Sequence, residues 1–132
     1  MPPVSLVATL VATILGFMLG ALWYGPLFGK AWMAAVGLNR EQMTAGFNPA
    51  KTYGLTFVLG FIAAWVFGLY VGEHPGFRFS VVLGAGIGLF WVMTSLSTNY
   101  LFERRSARLI LINGGYHVVR FALTGVAFAL LG

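Results

Sequence analysis

A chain of 132 residues that is 59% hydrophobic and only 8% charged cannot cover a water-facing surface, since soluble domains carry about 25% charged residues. The length suits a single domain, and the absence of cysteine excludes disulfides, thiolate metal sites and cysteine nucleophiles. The net charge of +5 would suit nucleic acid, but in so apolar a chain basic residues more often gather at the anionic cytoplasmic face of a membrane, and no nucleic-acid partner is expected.

A membrane-spanning helix needs roughly 20 mostly apolar residues. Four runs meet that requirement, at 4–24, 53–72, 79–100 and 109–131. The fold class is therefore all-α, a four-helix integral membrane bundle forming one domain over 1–132. Met1, Pro2 and Pro3 bring no basic charge ahead of the first run. A cleavable signal peptide needs one, so the first run reads as a permanent span.

Pro26 suits a sharp exit from that span, and Trp23, Tyr24 and Trp32 suit the interface as aromatic anchors. Residues 27–36 (LFGKAWMAAV) read as a short amphipathic helix on the cytoplasmic surface. A second short helix starts at Asn39 as N-cap, with Glu41 in its electropositive first turn, and ends at Asn48-Pro49. Further on, Pro75-Gly76 mark a tight turn over 73–78, and 101–108 form a short basic connection.

Charge asymmetry sets the orientation. The first and third connections carry six basic residues, Lys30, Arg40, Lys51, Arg104, Arg105 and Arg108, against Arg78 and the terminal amine opposite. By the positive-inside rule these two connections are cytoplasmic and both termini periplasmic. Anionic membrane lipids are the expected partners of Glu103-Arg104-Arg105 and Arg108.

Small residues recur along three spans: Ala8, Ala12, Gly16 and Gly20; Gly60, Ala64, Gly68 and Gly72; Ser80, Gly84 and Gly88. Close backbone approach through such faces drives helix association in lipid. Four helices offer limited room to bury them all, so a homodimer is expected.

The fourth span carries the chemistry. Asn113, His117, Arg120 and Thr124 fall within an arc of roughly 60° at 3.6 residues per turn, with Tyr116 beside them. On the third span, Gly84, Gly88, Trp91, Ser95 and Asn99 share a face at α-helical spacing, flanked by Thr94 and Thr98. A short connection lets the two faces meet as an antiparallel hairpin. Arg120 lies 11 residues from each predicted end of its span, about 16 Å deep. A central Arg costs at least about 2.5 kcal/mol, and intramembrane ionisable residues mark functional sites. No span supplies a carboxylate, so hydroxyls, carbonyls, a cation–π contact with Trp91, water or a bound anion must compensate it. These residues predict a pocket for a small anionic ligand or lipid headgroup, between the third and fourth spans.

No cofactor, metal site or enzymatic activity is expected. The glycine-rich run 84–88 lies inside a span, which removes it as a phosphate loop. His74 and His117 differ in side or depth, and no Ser-His-Asp set or carboxylate pair exists in the spans.

Three ordered motifs carry a resemblance: residues 22–33 (LWYGPLFGKAWM), 99–105 (NYLFERR) and 111–117 (LINGGYH). Together they resemble the bacterial membrane-protein family called domain of unknown function 1761. The resemblance implies a four-span protein of the bacterial inner membrane and supplies no activity. It adds weight to Asn99, Tyr100, Asn113, Tyr116 and His117 as a shared site. Arg120 departs from the pattern, which more usually has a small or apolar residue there. The expected function is binding or passing a small solute or lipid headgroup. A membrane scaffold or accessory subunit is the alternative. A small multidrug-type transporter is weakened by the absence of a carboxylate from the first span.

Overall fold

The computed structural model describes residues 4–132, apart from the side chain of Arg40. Residues 1–3, on which the reading of an uncleaved first span rests, lie outside the described residues. Four helices are long and apolar enough to cross a membrane: α1 (Leu6–Leu27), α4 (Pro49–Val71), α5 (Phe77–Phe102) and α6 (Ala107–Leu131). Two short helices, α2 (Gly29–Val36) and α3 (Arg40–Thr44), lie in the first connection.

Side-chain caps start most of these helices, by accepting backbone N–H groups that the first turn leaves unpaired. Ser5 accepts from Ala8, Asn48 from Lys51 and Ser106 from Leu109. Asn39 caps α3 as expected, and Gln42 closes the box by accepting the Asn39 N–H at 2.9 Å. Helix α3 stops at Thr44, short of the expected end at Asn48-Pro49, and those two residues instead start α4. Pro49 occupies the first turn of α4, where its missing N–H does no harm, and the second span begins earlier than its apolar run.

Pro26 does not end the first span. The helix continues to Leu27 through one π-helical turn over Trp23–Leu27, which tolerates the missing N–H, and breaks only at Phe28. The amphipathic helix is accordingly shorter than expected, Gly29–Val36. Gly29 is required there, because a Cβ would meet the Tyr24 carbonyl oxygen at 2.6 Å.

Helix α6 is the centre of the bundle, with α5 on one side and α1 on the other, while α4 packs chiefly on α1. The α5–α6 seam is a close backbone approach. A Cβ at Gly84 would run into the Phe121 carbonyl, and one at Gly125 into the Ser80 carbonyl. A Cβ at Gly88 would meet Val118 Cα at 2.6 Å. Ser80 Oγ also donates to the Gly125 carbonyl at 2.6 Å. The small-residue faces are buried at Ala8, Ala12, Gly16, Ala64, Gly68, Ser80, Gly84 and Gly88. Gly20, Gly60 and Gly72 are half-buried, and Gly72 ends α4 with φ of 80°, where an added Cβ would meet nothing within 4 Å.

The bundle is tight at the end that holds both termini and open at the other. Ala8, Phe67, Val71 and Phe128 form a core at the terminal end, and Ala12, Ala64 and Ala127 form another just below it. Toward the connection end α4 leaves α6, and residues 50–59 of α4 are exposed along every face. Elsewhere the outer surface carries large apolar side chains such as Tyr70, Phe90 and Leu130. Hydrocarbon, not water, is the solvent such a surface suits.

Candidate functional site

The divergence of α4 leaves an open cleft of about 940 Å³ between α1, α4 and α6. Its mouth, at the connection end, is lined by Tyr24, Gly25, Thr52 and Tyr53. Its floor lies at mid-bundle, at Ala12, Thr13, Ala64 and Thr124. The alanine core and the phenylalanine core beneath it close the far end.

Tyr116, His117, Arg120 and Thr124 of α6 form one wall. Opposite them runs the small-residue stripe of α1. A Cβ at Gly16 would lie 3.4 Å from Arg120 Cδ, and one at Gly20 would lie 3.5 Å from the Tyr116 hydroxyl. The two glycines therefore make room for the Arg120 stem and the Tyr116 ring. Tyr116 donates its hydroxyl to the Gly16 carbonyl at 2.8 Å, which fixes the ring across the α1–α6 seam. Its ring also stands beside those of Tyr24 and His117, at 5.4 and 5.1 Å between centres.

Arg120 is a cation without an acid. The one ion pair among the described residues, Arg105–Glu103 at 3.8 Å, lies in the exposed third connection. The Arg120 guanidinium carbon rests 4.3 Å from the centre of the Phe121 ring, so the cation–π partner is the adjacent Phe121 and not Trp91. Arg120 Nε and His117 Nδ1 are both buried and have no hydrogen-bond partner among the described residues. A buried polar atom without a partner is the exception in folded proteins.

The expected pocket between the third and fourth spans is not where the cleft lies. Of the eight residues proposed from sequence, Tyr116, His117 and Arg120 line the cleft. Asn113 and Tyr100 stand beside it as a brace: Tyr24 donates to Asn113 Oδ1 at 2.6 Å, and Asn113 Nδ2 donates to the Tyr100 hydroxyl at 2.9 Å. Trp91, Ser95 and Asn99 are on the outer surface instead, with Trp91 67% exposed.

A π-helical turn over Gly88–Met93 explains that displacement. It adds about one residue to the helix, which rotates everything beyond it by about 100°. Gly84 and Gly88 face α6 as α-helical spacing requires. Past the turn, Met93 and Tyr100 take the place of Trp91 and Asn99, with Met93 packed on Gly114.

Sequence reasoning missed the α1 and α4 walls, among them Thr13, Phe17, Thr56 and Gly60. The signal was present in the Gly16–Gly20 spacing, but it was read as helix packing alone. Tyr24, read as an interfacial anchor, turns out to hold Asn113.

Among the described residues no cluster of three or more His, Cys, Asp or Glu side chains is placed to hold a metal. A guanidinium on the wall of a cleft has the charge to hold an anion.

The sequence profile of the family described as protein of unknown function (DUF1761) matches residues 7–129. The chain belongs to this family. No curated protein and no solved structure matches it. As a DUF1761 protein it is a four-span membrane bundle, and the residues of its NYLFERR and LINGGYH motifs divide between the brace (Tyr100, Asn113), the cleft (Tyr116, His117) and the outer surface (Asn99).

Proposed function

We propose that this protein is a non-enzymatic bacterial inner-membrane protein that binds, or passes, a small anionic solute through the cleft between α1, α4 and α6. The observation that carries this reading is the pair of unpartnered buried nitrogens, Arg120 Nε and His117 Nδ1, on the wall of an open cleft. An always-charged guanidinium at the membrane centre needs a counter-charge, and no span offers one. The basic residues of the first and third connections favour a cytoplasmic cleft mouth and periplasmic termini under the positive-inside rule. Lipid headgroups fit less well, because the anchoring cation lies far below the interface.

The test uses the absence of native cysteine. Thr13→Cys and Thr56→Cys line the cleft, whereas Ser95→Cys faces outward. In inside-out vesicles, a negatively charged methanethiosulfonate should label the two cleft positions faster than its positive counterpart. Arg120→Leu should erase that preference, Ser95→Cys should show none, and intact spheroplasts should protect the cleft. Labelling indifferent to reagent charge, or to Arg120, rejects the anion reading; labelling from the periplasm reverses the topology.

A second reading has its own observation. Thr94, Ser95, Thr98 and Asn99 form an exposed polar row on α5. Polar side chains facing lipid favour contact with another helix, so this row suits a homodimer or a scaffold contact.

A further inference from the structure

We infer that the ligand of the cleft is an amphiphilic organic acid: a carboxylate held by Arg120, carrying an apolar aliphatic or aromatic body. This inference rests on the anion reading above and narrows it to a chemical class. It comes from counting the polar groups the cleft has left to offer.

Nearly every hydroxyl within the cleft is already committed as a donor. Thr13 donates to the Thr9 carbonyl at 2.7 Å, Thr56 to the Thr52 carbonyl at 2.7 Å, and Thr124 to the Arg120 carbonyl at 3.0 Å. Tyr116 is spent on the Gly16 carbonyl, and Tyr24 on the Asn113 amide. Only at the mouth do Thr52 and Tyr53 retain hydroxyls without a bond of this kind. At depth, the unspent groups are the Arg120 guanidinium and the His117 ring, on one short stretch of α6.

One small cluster of donors recognises one small anionic head. A sugar acid or other polyol would bring hydroxyls that find no free donors on the α1 and α4 walls, and burying unpaired polar groups is unfavourable. The rest of the lining is small or apolar, with Gly16, Phe17, Gly20, Leu59 and Gly60 among it. The volume, about 940 Å³, is at the upper end of the range of small-molecule sites and far exceeds what a bare anion fills. The surplus is apolar and adjoins the charge, which is the shape of an organic acid with a hydrocarbon body. A planar carboxylate also matches the fork of a guanidinium.

Such a ligand could be a water-soluble acid entering from the mouth or a fatty acid entering from the bilayer, and chain length separates the two. The experiment is thermal unfolding of the full chain in phosphatidylcholine nanodiscs, titrated with acetate, hexanoate, palmitate, hexanamide and gluconate. Hexanoate should stabilise saturably, and each methylene beyond acetate should tighten binding about fourfold. Hexanamide, without the charge, and gluconate, with hydroxyls on the body, should shift the midpoint little. A plateau at short chains identifies a soluble acid; tightening that continues to palmitate identifies a membrane fatty acid.

Arg120→Leu should abolish the hexanoate shift, and Arg120→Lys should retain part of it. Ala21→Phe, which narrows the cleft away from Arg120, should weaken hexanoate while leaving acetate unchanged, and it serves if Arg120→Leu does not fold. Equal shifts with acetate and hexanoate, equal shifts with gluconate and hexanoate, or an indifferent Ala21→Phe would overturn the amphiphile while leaving the charge-selective labelling intact. Equal shifts with hexanamide and hexanoate would overturn the amphiphile and the anion reading together.

Discussion

Asn113 is held from two directions, by the Tyr24 hydroxyl from α1 and toward the Tyr100 hydroxyl on α5. One amide thereby ties three spans together at the connection end, just above the residues that line the cleft. Intramembrane hydrogen bonds of this kind contribute about 0.6 kcal/mol on average and up to about 1.7. Asn113→Leu should therefore lower stability by about 1–2 kcal/mol, and Tyr24→Phe by about half as much. Reversible unfolding in mixed micelles measures both, and an unchanged midpoint for Asn113→Leu would remove the brace. Arg120 differs in kind. Its neighbours accommodate it sterically, through Gly16 and Phe121, without neutralising it. That combination is what the proposed anion site rests on.

At the scale of the element, two π-helical turns decide what the spans present. The one in α1 carries the helix past Pro26 and sets Trp23 against α6, where its indole N–H donates to the Ile112 carbonyl at 2.9 Å. The one in α5 turns Trp91, Ser95 and Asn99 outward and brings Met93 onto Gly114. Deleting Phe90, an exposed residue inside that turn, should restore α-helical winding and rotate the rest of α5 by about 100°. A Met93→Cys/Gly114→Cys pair should form a disulfide in the chain with Phe90 present, where a Cβ at position 114 would meet the Met93 side chain, and fail to form one after the deletion. A pair that still cross-links after the deletion would show that the turn does not set the register. The terminal half of the α5–α6 seam, held by Gly84 and Gly125, lies before the turn and should be untouched.

For the whole molecule, the uneven packing of α4 is the dominant feature. It is bound to the bundle at Phe67 and Gly68 and free of α6 at Thr52–Thr56. The polar row on α5 faces away from that cleft, so a homodimer through α5 leaves the cleft mouth clear. Native mass spectrometry in mild detergent should find dimers, and Asn99→Leu should shift them toward monomer without altering hexanoate binding. A parent chain that is monomeric throughout would end the homodimer reading.

Length, hydropathy and local capping were enough to define this protein as a four-span bundle, to place its spans within a few residues, and to single out Tyr116, His117 and Arg120. Those properties add up locally along the chain: an apolar run either reaches across hydrocarbon or does not, and an intramembrane Arg is conspicuous wherever it packs. Which faces meet is a different matter. The winding of α5 departs from 3.6 residues per turn at one place, and no periodicity count reveals that, because each half taken alone is regular. Likewise Gly16 and Gly20 could pack against a helix or make room for a side chain, and only the approach of α6 decided that they take in Arg120 and Tyr116. Tertiary packing thus moved the cleft from one side of α6 to the other, while the residues on α6 that face it stayed as read.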